Sequence, residues 1–208
     1  PMMLLRWTGS SAAAPLPVHG PTGVEAVIAG FNAAYAQDNS YRVAHHGADI
    51  VPPSGAGATA MPFAIEGESA VILEKEGLKV TAFKVDHNPV SPAVGYRFDY
   101  KGRSVVVSGD TAKSAVLERV AKGADLLLHE ALQPRMVTKM TAALDKKGLG
   151  NTAKITTDIL DYHASPEEAA DSARKAGVDQ LVFTHIVPPF PSRFFNPAFL
   201  GDAPKRFK

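Results

Sequence analysis

Between Ala70 and Val107 the sequence breaks into short β-rich runs, Ala70–Glu74, Leu78–Val85, Val94–Tyr100 and Ser104–Val107, separated by Glu76-Gly77, Pro89–Pro92 and Lys101-Gly102. Runs of that length joined by turn-forming pieces predict successive hairpin-connected strands. The pattern changes after Asp110-Thr111, where Ala115, Val116, Leu117 and Val120 make one helical face ending at Gly123. The apolar run Ala124–Leu128 then predicts a buried strand. A meander that passes into a strand, a helix and another strand points to the α/β class.

Other signals fill in the order of elements. Thr22-Gly23-Val24-Glu25 is a capping-box pattern followed by Val27, Ile28, Phe31 and Tyr35 on one face, so a helix is expected to run to about Asp38-Asn39. The stretch from Val51 to Pro62 mixes turn formers with small residues and reads as a connection without regular structure. Arg135–Lys147 and Thr152–Leu160 are expected helices. Ser165-Pro166-Glu167-Glu168 supplies a capping serine, a first-turn proline and a capping glutamate, which predicts a helix stopping at Gly177. Leu181–Thr184 is a final short strand, and Phe194, Phe195 and Phe199 in the tail are expected to pack. With no internal repeat and no low-complexity tract, residues 1–208 read as a single domain.

Composition removes several function classes. Lys plus Arg number 22 against 21 Asp plus Glu, a formal charge of +1, so no basic surface argues for nucleic acid. Zero cysteines leave His, Asp and Glu as the metal ligands available and exclude a disulfide framework, while the compartment stays open. No apolar run approaches the roughly 20 residues that span a bilayer. The opening Pro1-Met2-Met3-Leu4-Leu5-Arg6-Trp7 has no signal-peptide pattern and reads as the interior of a longer chain.

The chemistry-bearing residues sit at predicted element ends: His87 after one strand, His129 after another, His163 before the capped helix, His185 after the last strand, and Asp110 after Val105–Gly109. Rigid strand ends that open into loops are where side chains are both held and accessible. Neutral imidazoles with a carboxylate are the donor set that zinc and similar divalent ions take. Each residue also has a plainer reading: Asp110 as a helix cap, His163 as a helix-entry residue, and His129 as a buried imidazole bonded to backbone. His45-His46 read as surface or pocket-lining groups.

The ordered set Val85-Asp86-His87-Asn88-Pro89, Val107-Ser108-Gly109-Asp110-Thr111, Leu128-His129-Glu130-Ala131, His163-Ala164-Ser165-Pro166-Glu167-Glu168 and Phe183-Thr184-His185-Ile186 resembles the metallo-β-lactamase-fold hydrolases, in the branch of ribonuclease Z and arylsulfatase-like enzymes. The resemblance implies an αββα sandwich, with His87 and His185 as ligands of two divalent metal ions, zinc or else manganese or iron, and Asp110 as the carboxylate bridging them. It implies His163 as the group that protonates the leaving atom, with Glu130 orienting it. The implied reaction is hydrolysis of a small ester, a phosphodiester, aryl sulfate or lactone, by a metal-activated hydroxide.

The His-x-His-x-Asp-His motif of that family is absent from residues 1–208 and is expected before residue 1. The sandwich is therefore expected to be incomplete at the N-terminus, and at the C-terminus too if the family's last strand lies beyond Phe207-Lys208, with metal binding weak or absent without the N-terminal segment. Association with such a segment, or a homo-oligomer, is the corresponding partner expectation. A tight Lys101-Gly102 turn stands where ribonuclease Z enzymes often carry an arm for transfer RNA, which favours a small substrate. Two other readings stand beside this one, a non-catalytic binding or assembly module of the same fold and an RNA-processing nuclease.

Overall fold

A computed structural model describes residues 2–208, which form two compact units, one ending at Ala64 and one beginning at Ile65. In the first, α1 (Met2–Ser10) buries Trp7, whose indole N–H donates to the Pro52 carbonyl at 2.7 Å. Strands β1 (Leu16–Pro21) and β2 (Ala58–Phe63) pair in parallel, Leu16 opposite Ala58 and Pro21 opposite Phe63, with α2 (Val24–His46) connecting them.

Two expectations are corrected here. The first long helix does not stop near Asp38-Asn39 but continues to His46, where Gly47, at φ 86°, closes it with its N–H on the Val43 carbonyl. Asp38 and Arg42, one turn apart, form an ion pair at 2.8 Å across the expected end, so residues that look like a stop instead support the next turn. The stretch from Val51 to Pro62 is also not free of regular structure: it holds a 3₁₀ turn at Pro53–Gly55 and then β2. Asn32 on α2 grips Ala58 through both its backbone N–H (2.9 Å) and its carbonyl (2.8 Å). That strand is made by long-range pairing, which overrides a weak local preference.

In the second unit β3 (Ser69–Lys75), β4 (Leu78–Lys84), β5 (Val94–Tyr100) and β6 (Arg103–Val107) form the expected antiparallel meander, in sheet order with no crossover. Helix α3 (Ala115–Val120) then carries the chain to β7 (Leu126–Leu132), parallel to β6. Helices α4 (Pro134–Lys146), α5 (Gly150–Asp158) and α6 (Pro166–Ala176) precede β8 (Gln180–Val187), parallel to β7, and α7 (Asn196–Leu200) and α8 (Ala203–Arg206) follow it. The core lies on the α3 and α6 side of this six-stranded mixed sheet, where Phe83, Val106, Leu117, Leu127 and Ala173 are buried together. Small side chains on α6, Ala169, Ala170, Ala173 and Ala176, all buried, let the helix lie close.

Helix α6 starts and stops as the sequence predicts. The Ser165 hydroxyl accepts from the Glu168 N–H while the Glu168 carboxylate accepts from the Ser165 N–H, and Gly177 closes the other end in the left-handed conformation. The tail is a partial correction. Phe199 is buried and meets Phe183 and Phe190, with ring centres 5.8 and 5.5 Å away, but Phe194 is 85% exposed and meets Phe195 edge-on at the surface. No helix among the described residues is long and apolar enough to cross a membrane.

Candidate functional site

Strands β4, β6, β7 and β8 run in one direction, so their C-terminal ends lie along one edge of the sheet. This is the edge where functional groups of open α/β sheets gather. His87 follows β4, and Asp110 follows β6 after a turn at Gly109, whose φ is 65°. A side chain at position 109 would collide with the Val94 carbonyl oxygen, so glycine both permits the turn and allows the close approach.

Two strands are longer than expected, which moves three residues from strand ends into strands. β7 extends through Leu132 and contains His129 and Glu130. β8 extends through Val187, and its register against β7 slips between Glu130 opposite Thr184 and Ala131 opposite Ile186. His185 is the extra residue of that bulge and sits at φ 43°, an uncommon conformation for a residue with a side chain. A bulge re-aims a side chain at a sheet margin, and the strain it carries is characteristic of functional positions.

At this edge His185 Nε2 lies 3.7 Å from Asp110 Oδ2, both side chains about half exposed. Beside them His163 and Glu130 are buried, with His163 Nδ1 donating to Glu130 Oε1 at 3.1 Å. The His163 ring centre is 5.1 Å from that of His87 and 5.6 Å from that of His185. Three imidazoles and two carboxylates therefore share one neighbourhood, with His163 between the others.

Glu130 is the organiser of the loops. Its Oε1 accepts from the Thr111 N–H (3.1 Å) and the Ala164 N–H (3.0 Å) as well as from His163. One carboxylate oxygen thus ties the loop after β6 to the loop before α6. The Ser108 hydroxyl accepts from the Glu130 N–H at 3.0 Å and donates to the Gly109 carbonyl at 2.6 Å. Thr111 Oγ1 accepts from the Asp86 N–H at 3.1 Å, and the Ala112 N–H donates to the Asp86 carbonyl at 2.7 Å, so the loops bearing His87 and Asp110 are laced together. Ser108 and Thr111 were not singled out by sequence reasoning; their one signal is that they flank Gly109-Asp110.

The donor chemistry suits a divalent cation. The Tyr162 carbonyl can only accept, so His87 Nδ1, 3.0 Å away, carries the proton and Nε2 offers a free lone pair. A neighbouring carboxylate and a second imidazole complete a set of the type zinc takes. In number the set falls short, since among the described residues no group of three or more His, Asp and Glu converges closely enough to hold an ion. His129 lies apart in function: it is buried, its Nδ1–H donates to the Glu130 carbonyl at 2.7 Å, and burial pushes the imidazole below its ordinary value. His45 and His46 are exposed at the end of α2 in the other unit.

A family model described as a beta-lactamase superfamily domain matches residues 3–186. The chain is 35% identical over 190 residues to ribonuclease Z of Mycobacterium tuberculosis (strain H37Rv), covering 90% of this chain and 63% of that protein. It is 35% identical over 189 residues to ribonuclease Z of Mycobacterium avium (strain 104), covering 90% and 61%. The chain thus spans less than two thirds of the length of these curated relatives. Among solved structures it resembles the metallo-beta-lactamase fold protein YhfI from Bacillus subtilis, with a TM-score of 0.58 at 18% identity, covering 97% of this chain and 63% of that chain.

Proposed function

Because the chain belongs to the metallo-β-lactamase superfamily and is related to ribonuclease Z, we propose that the protein is a metal-dependent hydrolase of a small ester and that this edge of the sheet is its active site. The observation that carries the reading is the position of His163, bonded to a buried carboxylate on one side and within ring contact of His87 and His185 on the other. A proton donor held beside a set of metal-type donors is the arrangement ester hydrolysis requires.

Each residue then has a task. His87 through Nε2, His185 and Asp110 would hold divalent cations, zinc in the first instance, with manganese or iron as the other choices. Bound cations supply Lewis-acid polarisation of the ester and lower the pKa of water. Three donors are too few for two ions, so the proposal includes further ligands outside this set, contributed by a segment beyond the described residues or by a partner. Glu130 fixes His163 with Nδ1 protonated, leaving Nε2 as the nitrogen that delivers a proton to the departing oxygen. In fold terms, the six-stranded sheet with its helices would be one half of the αββα sandwich.

A small phosphodiester, aryl sulfate or lactone fits the short β5–β6 turn at Lys101-Gly102. The 35% identity to ribonuclease Z favours a second reading, precursor RNA processing by the same site. The shortfall in the donor set favours a third, a non-catalytic module. The complete gene product, assayed for metal content and for turnover of an aryl phosphodiester, an aryl sulfate, a lactone and a precursor transfer RNA, separates the three. Metal bound and a small ester hydrolysed, with both lost in Asp110→Ala and His185→Ala, is the expected result. RNA cleavage with no small-ester turnover selects the second reading, and neither metal nor turnover selects the third.

A further inference from the structure

We infer that Tyr162 is a positioning residue for two histidines, its carbonyl setting the tautomer of His87 and its ring holding His87 and His163 against one another. Its catalytic meaning rests on the hydrolase reading above, whereas the arrangement stands on geometry alone. A neutral imidazole has a single N–H. With Nδ1 donating to the Tyr162 carbonyl at 3.0 Å, that proton is committed and the Nε2 lone pair is left free. A histidine side chain free in water favours the opposite tautomer, so this one must be imposed.

The ring adds a second constraint. Tyr162 meets His87 edge-on, with centres 4.8 Å apart and planes at 80°, and meets His163 at 5.0 Å and 51°. The two imidazoles are themselves 5.1 Å apart at 64°. The three rings are in mutual contact, two pairs edge-on and the Tyr162–His163 pair tilted, at separations that aromatic quadrupoles favour. Chain anchorage places the carbonyl: Ala164, two residues on, donates its N–H to Glu130 and accepts from the Leu132 N–H at 2.8 Å. Ser165 then begins the α6 cap. Downstream of Tyr162 the backbone is pinned to β7, and the ring, half-buried against the histidines, fixes the direction of the peptide just before that pin.

The test reads tautomers directly, by long-range ¹H–¹⁵N correlation spectra of the imidazoles of the metal-free protein at a pH of about 8.5, where an ordinary imidazole is neutral. His87→Ala assigns the His87 signals. The parent and Tyr162→Phe, which keeps ring and carbonyl, are expected to show His87 as the Nδ1–H form. Tyr162→Ala, which frees the loop, is expected to lower the ratio of Nδ1–H to Nε2–H by roughly tenfold, the worth of about one hydrogen bond, and to move the His163 signals as well. The buried His129 signals report folding; if Tyr162→Ala loses them, Tyr162→Leu, which fills the space without an aromatic ring, takes its place with the same expected change. An Nε2–H tautomer in the parent, or an unchanged ratio in the folded Ala or Leu variant, overturns the inference. Because neither metal nor substrate takes part, an intact tautomer in a protein that hydrolyses nothing would refute the hydrolase reading and leave this one standing.

Discussion

Replacing Glu130 separates its structural duty from its chemical one. The side chain is 1% exposed, and one oxygen accepts from the Thr111 N–H, the Ala164 N–H and His163. Thr111 and Ala164 are themselves fully buried, so in Glu130→Ala two backbone donors lose their acceptor out of reach of solvent. Each such orphan costs about 2 kcal/mol, and the lost bond to His163 adds about 1 kcal/mol. Against this stands a recovery: Glu130 Oε2 is buried with no hydrogen-bond partner among the described residues, so removing the carboxylate relieves a desolvation cost. A net loss of about 3 kcal/mol follows, a large share of the total stability of a domain. Glu130→Gln keeps an oxygen where Oε1 stands and is expected to lose only about 1 kcal/mol. Urea unfolding of the parent and both variants measures this, with the midpoint reporting stability and the slope checking that the transition keeps its character. If Glu130→Ala loses less than about 1 kcal/mol, or no more than Glu130→Gln, the carboxylate is not what ties these loops together.

Two further outcomes test other parts of the fold. Gly95→Ala would drive a methyl group into the Phe83 ring and to within 2.7 Å of the Ser108 carbonyl oxygen, so overpacking is expected to cost about 1–3 kcal/mol and lower the thermal midpoint by several degrees; an unchanged midpoint would mean that this strand end yields freely. Asp125 is held down to about 2 by hydrogen bonds from Arg103 and then from the Ser104 N–H and hydroxyl. Its folded value lies below the unfolded one near 3.9, so its contribution is complete above about pH 4 and is lost as pH falls toward 2. Asp125→Asn should flatten stability against pH in that window, and a variant whose acid limb matches the parent's would refute the assignment.

The strands and helices of the second unit were legible because their signals are local. Val94–Tyr100 and Ala115–Val120 carry period-two and helical patterns between strong turn formers, and Ser165-Pro166-Glu167-Glu168 is a cap whose partners lie within four residues. Strand β2 and the last turns of α2 were not legible, since one depends on pairing with a strand some 40 residues earlier and on the grip of Asn32, and the other on an ion pair spanning an apparent stop.

Sequence by itself determined which residues are candidates for chemistry and the order in which they occur, because residue type and strand-end placement are properties of short windows: His87, Asp110, His163 and His185 stand out from the string alone. Tertiary structure alone decided how those residues meet. The bulge that re-aims His185, the single Glu130 oxygen that joins two loops to His163, and the Tyr162 carbonyl that selects a tautomer all arise from contacts between segments 19 to 75 residues apart. Such contacts are set by sheet register and loop closure, which no local pattern encodes.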